Sequence, residues 1–157
     1  MYTSCYTPYF LLSYIGGSAV KLLKHLKPYK DDLDWSKVHL FYVNHKCVPD
    51  NDDSATHYKA RNIFLDHIGN VQTYVPDDKI ADATARANSY ASVLQSILPQ
   101  SNGLPLFDLV ILGAGKDGHI GSLYPGRKEV ADTTSLVLSV DKVAVVYVVV
   151  CNCIIDE

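Results

Sequence analysis

Cysteine is scarce in this chain, and what there is lies scattered. The 157 residues hold four, Cys5, Cys47, Cys151 and Cys153, with no paired CxxC spacing that builds a zinc knuckle and no density that makes a disulfide scaffold. Free thiols in a reducing cytosol are the expectation. An excess of one charge is missing too: 14 Lys and Arg face 17 Asp and Glu, a net charge of −3. With no basic stripe interleaved with aromatics, nucleic-acid binding is not expected. No apolar run approaches the roughly 20 residues that a membrane helix needs. The opening MYTSCYTPYFLL has no cationic stretch ahead of its apolar part and no arginine, which argues against a secretory signal or a transit peptide. A cytoplasmic chain with no membrane partner is what these exclusions leave. Its composition, 48% hydrophobic and 20% charged, is that of a globular protein. Its length suits one domain over residues 1–157 with a real core.

Apolar and turn patterns alternate in an α/β rhythm. Tyr9 to Ile15 reads as a strand ending at Gly16-Gly17-Ser18, where Ser18 is placed to cap a helix with Val20, Leu23 and Leu26 on its apolar side, stopped by Pro28. Val38 to Val43 is a second strand, rich in β-branched and aromatic residues. Asp50 to Ser54 leads into a helix bearing Ala60, Ile63, Phe64 and Ile68, ended by a left-handed Gly69. Val71 to Val75 is a short strand, and Pro76-Asp77-Asp78 signals a helix start. Ala83, Ala87, Tyr90, Ala91, Leu94 and Leu98 recur at helical spacing up to Pro99. Phe107 to Leu112 reads as a buried strand, and Val143 to Cys151 as a strand covered on both faces. Strands separated by helices predict a doubly wound, mostly parallel sheet flanked by helices.

The densest chemical signal is FDLVILGAGKDGHIGSLYPG, Phe107 to Gly126. A strand runs into a glycine-punctuated loop that presents His119 between Gly118 and Gly121. Glycines allow sharp turns and close ligand approach. The carboxyl ends of strands in open α/β sheets collect ligands, and a histidine there moves protons near neutral pH. Asp117 is placed to orient the imidazole or simply to form the turn. Gly16, Gly17 and Ser18, between a strand and a helix start, offer either an anion cradle or a tight turn with a cap. Gly113, Gly115 and Gly118 fit GxGxxG, but Pro125-Gly126 closes the segment before a Rossmann helix can run, and Asp141 is only a loose match for the acidic residue, so nucleotide binding is not expected. His45 reads as a solvated loop histidine.

The same stretch resembles the GxGxDGHxASLFPG signature of the 6-phosphogluconolactonases. The related glucosamine-6-phosphate deaminases share the DGH core but follow it with an asparagine-glutamate-proline segment, whereas Ser122 to Gly126 follow the lactonase version. The likeness takes in Gly16-Gly17-Ser18, Trp35 to Val38, Phe41 to Pro49 (FYVNHKCVP against a family FFVDERCVP) and the helix around Tyr58 to Ile68. It covers most of Ile15 to Arg127.

The resemblance implies hydrolysis of 6-phospho-D-glucono-1,5-lactone to 6-phosphogluconate, with no metal or other cofactor and a sugar-phosphate lactone as the small-molecule partner. It implies His119 as the general base, Asp117 and Asn44 in support, and Gly16, Gly17, Ser18 and Lys46 around the phosphate. Asn44 and Lys46 depart from the family aspartate and arginine. An amide holds a tautomer but brings no charge to an imidazolium, and an ammonium lacks the two-pronged grip of a guanidinium. An alternative is therefore a catalytically impaired sugar-phosphate binder. The family's opening helix and its closing glycine and lysine are not matched, Cys151-Asn152-Cys153 standing where the latter are expected, so the fold is expected to be trimmed at both ends.

Overall fold

The computed structural model describes residues 9–15, 18–142, 145–150 and 154–155. In chain order its elements are β1 (Phe10–Ile15), α1 (Ser18–Leu23), β2 (Val38–Lys46), α2 (Thr56–Ala60), α3 (Asp66–Ile68), β3 (Gln72–Tyr74) and α4 (Ala83–Ile97). They continue with β4 (Gln100–Ser101), β5 (Leu104–Phe107), β6 (Leu109–Ile111), β7 (Val137–Lys142), β8 (Val145–Val150) and β9 (Ile154–Ile155). The strands β6, β1, β2 and β3 lie side by side and parallel. β3 takes the amino-terminal half of the outer edge of β2, from His39 to Phe41, and antiparallel β8 takes the other half, from Asn44 to Lys46. β7 then closes an antiparallel hairpin on β8. A small second sheet runs β4-β5-β9.

Side chains that alternate along β2 feed two cores. Phe41 and Val43 pack with Leu11, Phe107, Val137 and the α4 residues Ala87, Tyr90 and Leu94. Leu40 and Tyr42 pack on the opposite side with Val20, Leu23, Trp35, Phe64 and Ile68. Helices thus cover both faces, the doubly wound arrangement expected from the sequence. The Tyr90 hydroxyl pins α4 to the sheet by accepting the Tyr42 N–H at 2.9 Å and donating to the Tyr74 carbonyl at 3.2 Å. Among the described residues, no helix is long and apolar enough to cross a membrane.

Several local expectations are corrected. Pro28 does not stop the first helix; it sits inside a 3₁₀ turn over Lys24–Tyr29 that continues α1. The second helix is interrupted by a π-helical turn, Arg61–Leu65, whose extra residue lets adjacent Phe64 and Leu65 both be buried. Gly69 has φ +101° but ψ −158°, so it ends α3 in an extended glycine-only conformation, not the left-handed cap. Pro76-Asp77-Asp78 starts no helix. α4 begins at Ala83 because the Asp82 carboxylate accepts the Ala85 N–H at 2.7 Å. Asp82→Ala should cost about 1 kcal/mol, read as a shift in the urea midpoint at constant slope.

Phe107 to Leu112 is neither continuous nor fully buried. It breaks at Asp108, which bonds both ways with Leu11: its carboxylate accepts the Leu11 N–H at 2.6 Å and its own N–H donates to the Leu11 carbonyl at 3.1 Å. Beyond that break β6 pairs only with β1 among the described strands, and Leu109 and Leu112 are exposed. The strand expected over Val143 to Cys151 is β8, Val145–Val150, one arm of the β7–β8 hairpin; Val143, Ala144 and Cys151 lie outside the described residues.

Candidate active site

The parallel strands β1, β2 and β6 all end at one edge of the sheet, which sets three connections side by side. The one after β6 is Leu112 to Arg127, and it contains no helix. It folds on itself through short backbone bonds. Gly115 N–H donates to the His119 carbonyl at 2.8 Å, Gly118 N–H to the Gly115 carbonyl at 3.0 Å, and Ile120 and Leu123 exchange bonds at 3.1 and 3.0 Å. The reversals need positive φ on either side of the histidine, +82° at Gly118 and +63° at Gly121, where a β-carbon is strained. No helix opens at Gly113, Gly115 and Gly118, as the early Pro125-Gly126 implied.

His119 is held on several sides. Its Nδ1 lies 2.5 Å from Asp117 Oδ1, and the Tyr124 ring stacks on it with centroids 4.7 Å apart and planes at 28°. Gly115 presses against the Nδ1 and Cε1 atoms so closely that a β-carbon there would overlap both. A carboxylate on Nδ1 fixes the proton on that nitrogen and leaves the Nε2 lone pair outward. The bond from His119 holds the Asp117 carboxyl below the ordinary carboxylate range. The imidazole is 31% exposed, so it is reachable from solvent.

Asn44 and Ser122 join β2 to this loop. Asn44 Nδ2 donates to Ser122 Oγ at 3.1 Å, and both residues are buried. The Asn44 carbonyl oxygen is buried with no partner among the described residues. Asn44 therefore meets the histidine loop at Ser122, while Asp117 is the carboxylate that bonds to the imidazole. Lys46, the last residue of β2, donates from Nζ to Ser54 Oγ at 2.5 Å, and Ser54 passes its own hydrogen to Asp52. Ser18 opens α1, at the carboxyl end of β1; Gly16 and Gly17 lie outside the described residues.

His45 is not a solvated loop residue. β2 runs on past Val43 to Lys46, and His45 is 1% exposed with neither ring nitrogen hydrogen-bonded among the described residues. The β1–β2 register slips one residue, Tyr14 pairing with Tyr42 but Ile15 with Asn44. In a regular strand residues 42 and 45 point to opposite faces; the slip brings the two rings together at 5.5 Å, edge to face. Burial, aided by nearby His57, lowers the His45 pKa from 6.5 to about 4.

The sequence reading passed over Gly115 and Tyr124 as holders of the ring, and Ser122 as the link to β2. Their signal was the motif itself, in which small and aromatic residues stand at fixed distances from His119.

The family model described as glucosamine-6-phosphate isomerases/6-phosphogluconolactonase matches residues 8–146. A 6-phosphogluconolactonase of Mycobacterium tuberculosis is 34% identical over 137 residues, covering 80% of this chain and 53% of the relative. The Arabidopsis thaliana protein named 6-phosphogluconolactonase 3, chloroplastic, is 35% identical over 138 residues, covering 80% of this chain and 42% of its own length. Among solved structures, the devB protein superposes with a TM-score of 0.80 at 26% identity, over 95% of this chain and 64% of that one. The Trypanosoma brucei 6-phosphogluconolactonase gives 0.71 at 26% identity, over 89% and 64%. The chain spans about half the length of the curated relatives it matches.

Proposed function

We propose, since this chain belongs to the glucosamine-6-phosphate isomerase/6-phosphogluconolactonase family, that its site hydrolyses 6-phospho-D-glucono-1,5-lactone to 6-phosphogluconate. One observation carries the reading: a solvent-reachable imidazole with Asp117 on Nδ1 stands in a loop at the carboxyl ends of parallel strands. In the neutral ring Nε2 takes a proton from water as the oxygen bonds to the lactone carbonyl carbon. The tetrahedral oxyanion collapses, the bond from that carbon to the ring oxygen breaks, and the imidazolium returns its proton to the departing oxygen. Asp117 balances the positive charge that His119 carries between these steps.

Asn44 brings no charge, and in this scheme none is required of it: it holds the loop through Ser122. That removes the main ground for the impaired-binder alternative. For the substrate phosphate we assign Gly16, Gly17, Ser18 and Lys46, which follow from the family pattern; of these, Ser18 opens α1 after β1 and Lys46 ends β2, the two strands next to β6. Lys46 would exchange its Ser54 bond for a phosphate oxygen, a charge-assisted bond stronger than the one it leaves. A cytoplasmic location fits the scattered cysteines and balanced charge.

The test is lactone hydrolysis followed by coupled oxidation of 6-phosphogluconate, measured above the spontaneous rate. The wild-type protein is expected to accelerate opening, and His119→Ala to lose roughly 10²–10⁴-fold of that rate. Equal rates for the two proteins would overturn the assignment.

A further inference from the structure

Tyr124 lies over the imidazole, not merely near it. Ring centroids 4.7 Å apart with planes at 28° place the phenol face within the range at which an aromatic ring attracts a cation. The ring's negative face does nothing for a neutral imidazole and stabilises an imidazolium. The charged groups around this pair are few. Asp117 holds the Nδ1 edge, and the guanidinium of Arg127, three residues after Tyr124, is engaged by Glu129 at 3.0 and 3.1 Å. No carboxylate comes from β2, where Asn44 stands.

We infer that Tyr124 is a positioning residue that holds the plane of the His119 ring and, through its aromatic face, steadies the imidazolium whose charge Asp117 balances. The inference rests on the lactonase reading for its kinetic consequence but not for its structural one. Two restraints act together: Asp117 fixes which nitrogen carries the proton, and Tyr124 fixes the plane of the ring, so that Nε2 alone faces the incoming water. Removing the aromatic face frees the ring to tilt off the Asp117 carboxylate, so the Nδ1 bond that fixes the tautomer is lost part of the time.

The experiment compares wild type with Tyr124→Phe and Tyr124→Leu. Phenylalanine keeps the face, so turnover is expected within about twofold of wild type. Leucine keeps bulk but not the face, and kcat is expected to fall roughly tenfold with KM little changed. Nitrogen-15 spectra of the His119 ring supply a readout that needs no turnover. Wild type and Tyr124→Phe should show a protonated Nδ1 and a bare Nε2, and Tyr124→Leu an averaged pattern. A leucine variant with the wild-type ring spectrum overturns the inference whatever the activity. An inactive wild type with the expected ring spectra overturns the lactonase reading and leaves the clamp standing.

Discussion

Gly115→Ala is expected to lower lactone turnover by about 10²-fold, the scale of loss that a misplacement near 1 Å brings, while leaving thermal stability nearly unchanged. The reason is space rather than backbone freedom. Gly115 is not among the glycines with positive φ, so alanine suits its conformation. Its β-carbon, however, would occupy the place of the imidazole Nδ1 and Cε1 atoms and crowd the Asp117 carboxylate at 2.6 Å. The side chain that yields is the histidine, and the Asp117 bond goes with it. Comparing kcat with the melting temperature checks this. A variant that turns over at the wild-type rate would show that the ring is not held where it is drawn.

The second large effect is on stability in acid. His45 is buried against the Tyr42 ring, and its pKa falls from 6.5 to about 4, mainly through desolvation, with the charges of His57 and Arg86 adding to the fall. The unfolded chain takes up this proton near pH 6.5 and the folded chain only near pH 4. Its contribution to stability is therefore fully present above pH 6.5 and drains away as the pH falls towards 4, by about 3 kcal/mol in all. His45→Leu should remove that slope. It should cost little at pH 7.5, since among the described residues neither ring nitrogen makes a hydrogen bond within normal length and an apolar replacement leaves no polar atom stranded. Urea titrations at pH 7.5, 6.0 and 4.5 on both proteins decide it; parallel pH slopes would refute the assignment.

The contact between Asp117 and His119 was legible because the two stand two residues apart, where local turns leave few ways for the loop to run. α4 was legible for a related reason: Ala87, Tyr90 and Leu94 fall on one face of a helix whatever lies opposite. Asp82 displaced Asp77 and Asp78 as the helix start because capping is decided by which carboxylate reaches an N–H. Asp77 spends its oxygen on Lys79 and Asp78 on Asp50. β6 looked buried from its run of apolar residues, yet burial depends on what pairs at the outer edge, and no window of sequence contains that neighbour. His45 failed on a smaller scale, a slip of one residue in the β1–β2 register that hydrophobic alternation does not record.

The sequence by itself determined the alternation of strands and helices, the motif that carries the histidine, and the membership that goes with it. These are properties of contiguous residues, set by backbone sterics and short-range periodicity. The tertiary structure alone decided that Asn44 reaches the histidine loop through Ser122, and that His45 is sealed inside. Each of those turns on which side chains two distant segments bring within about 3 Å, the reach of a hydrogen bond.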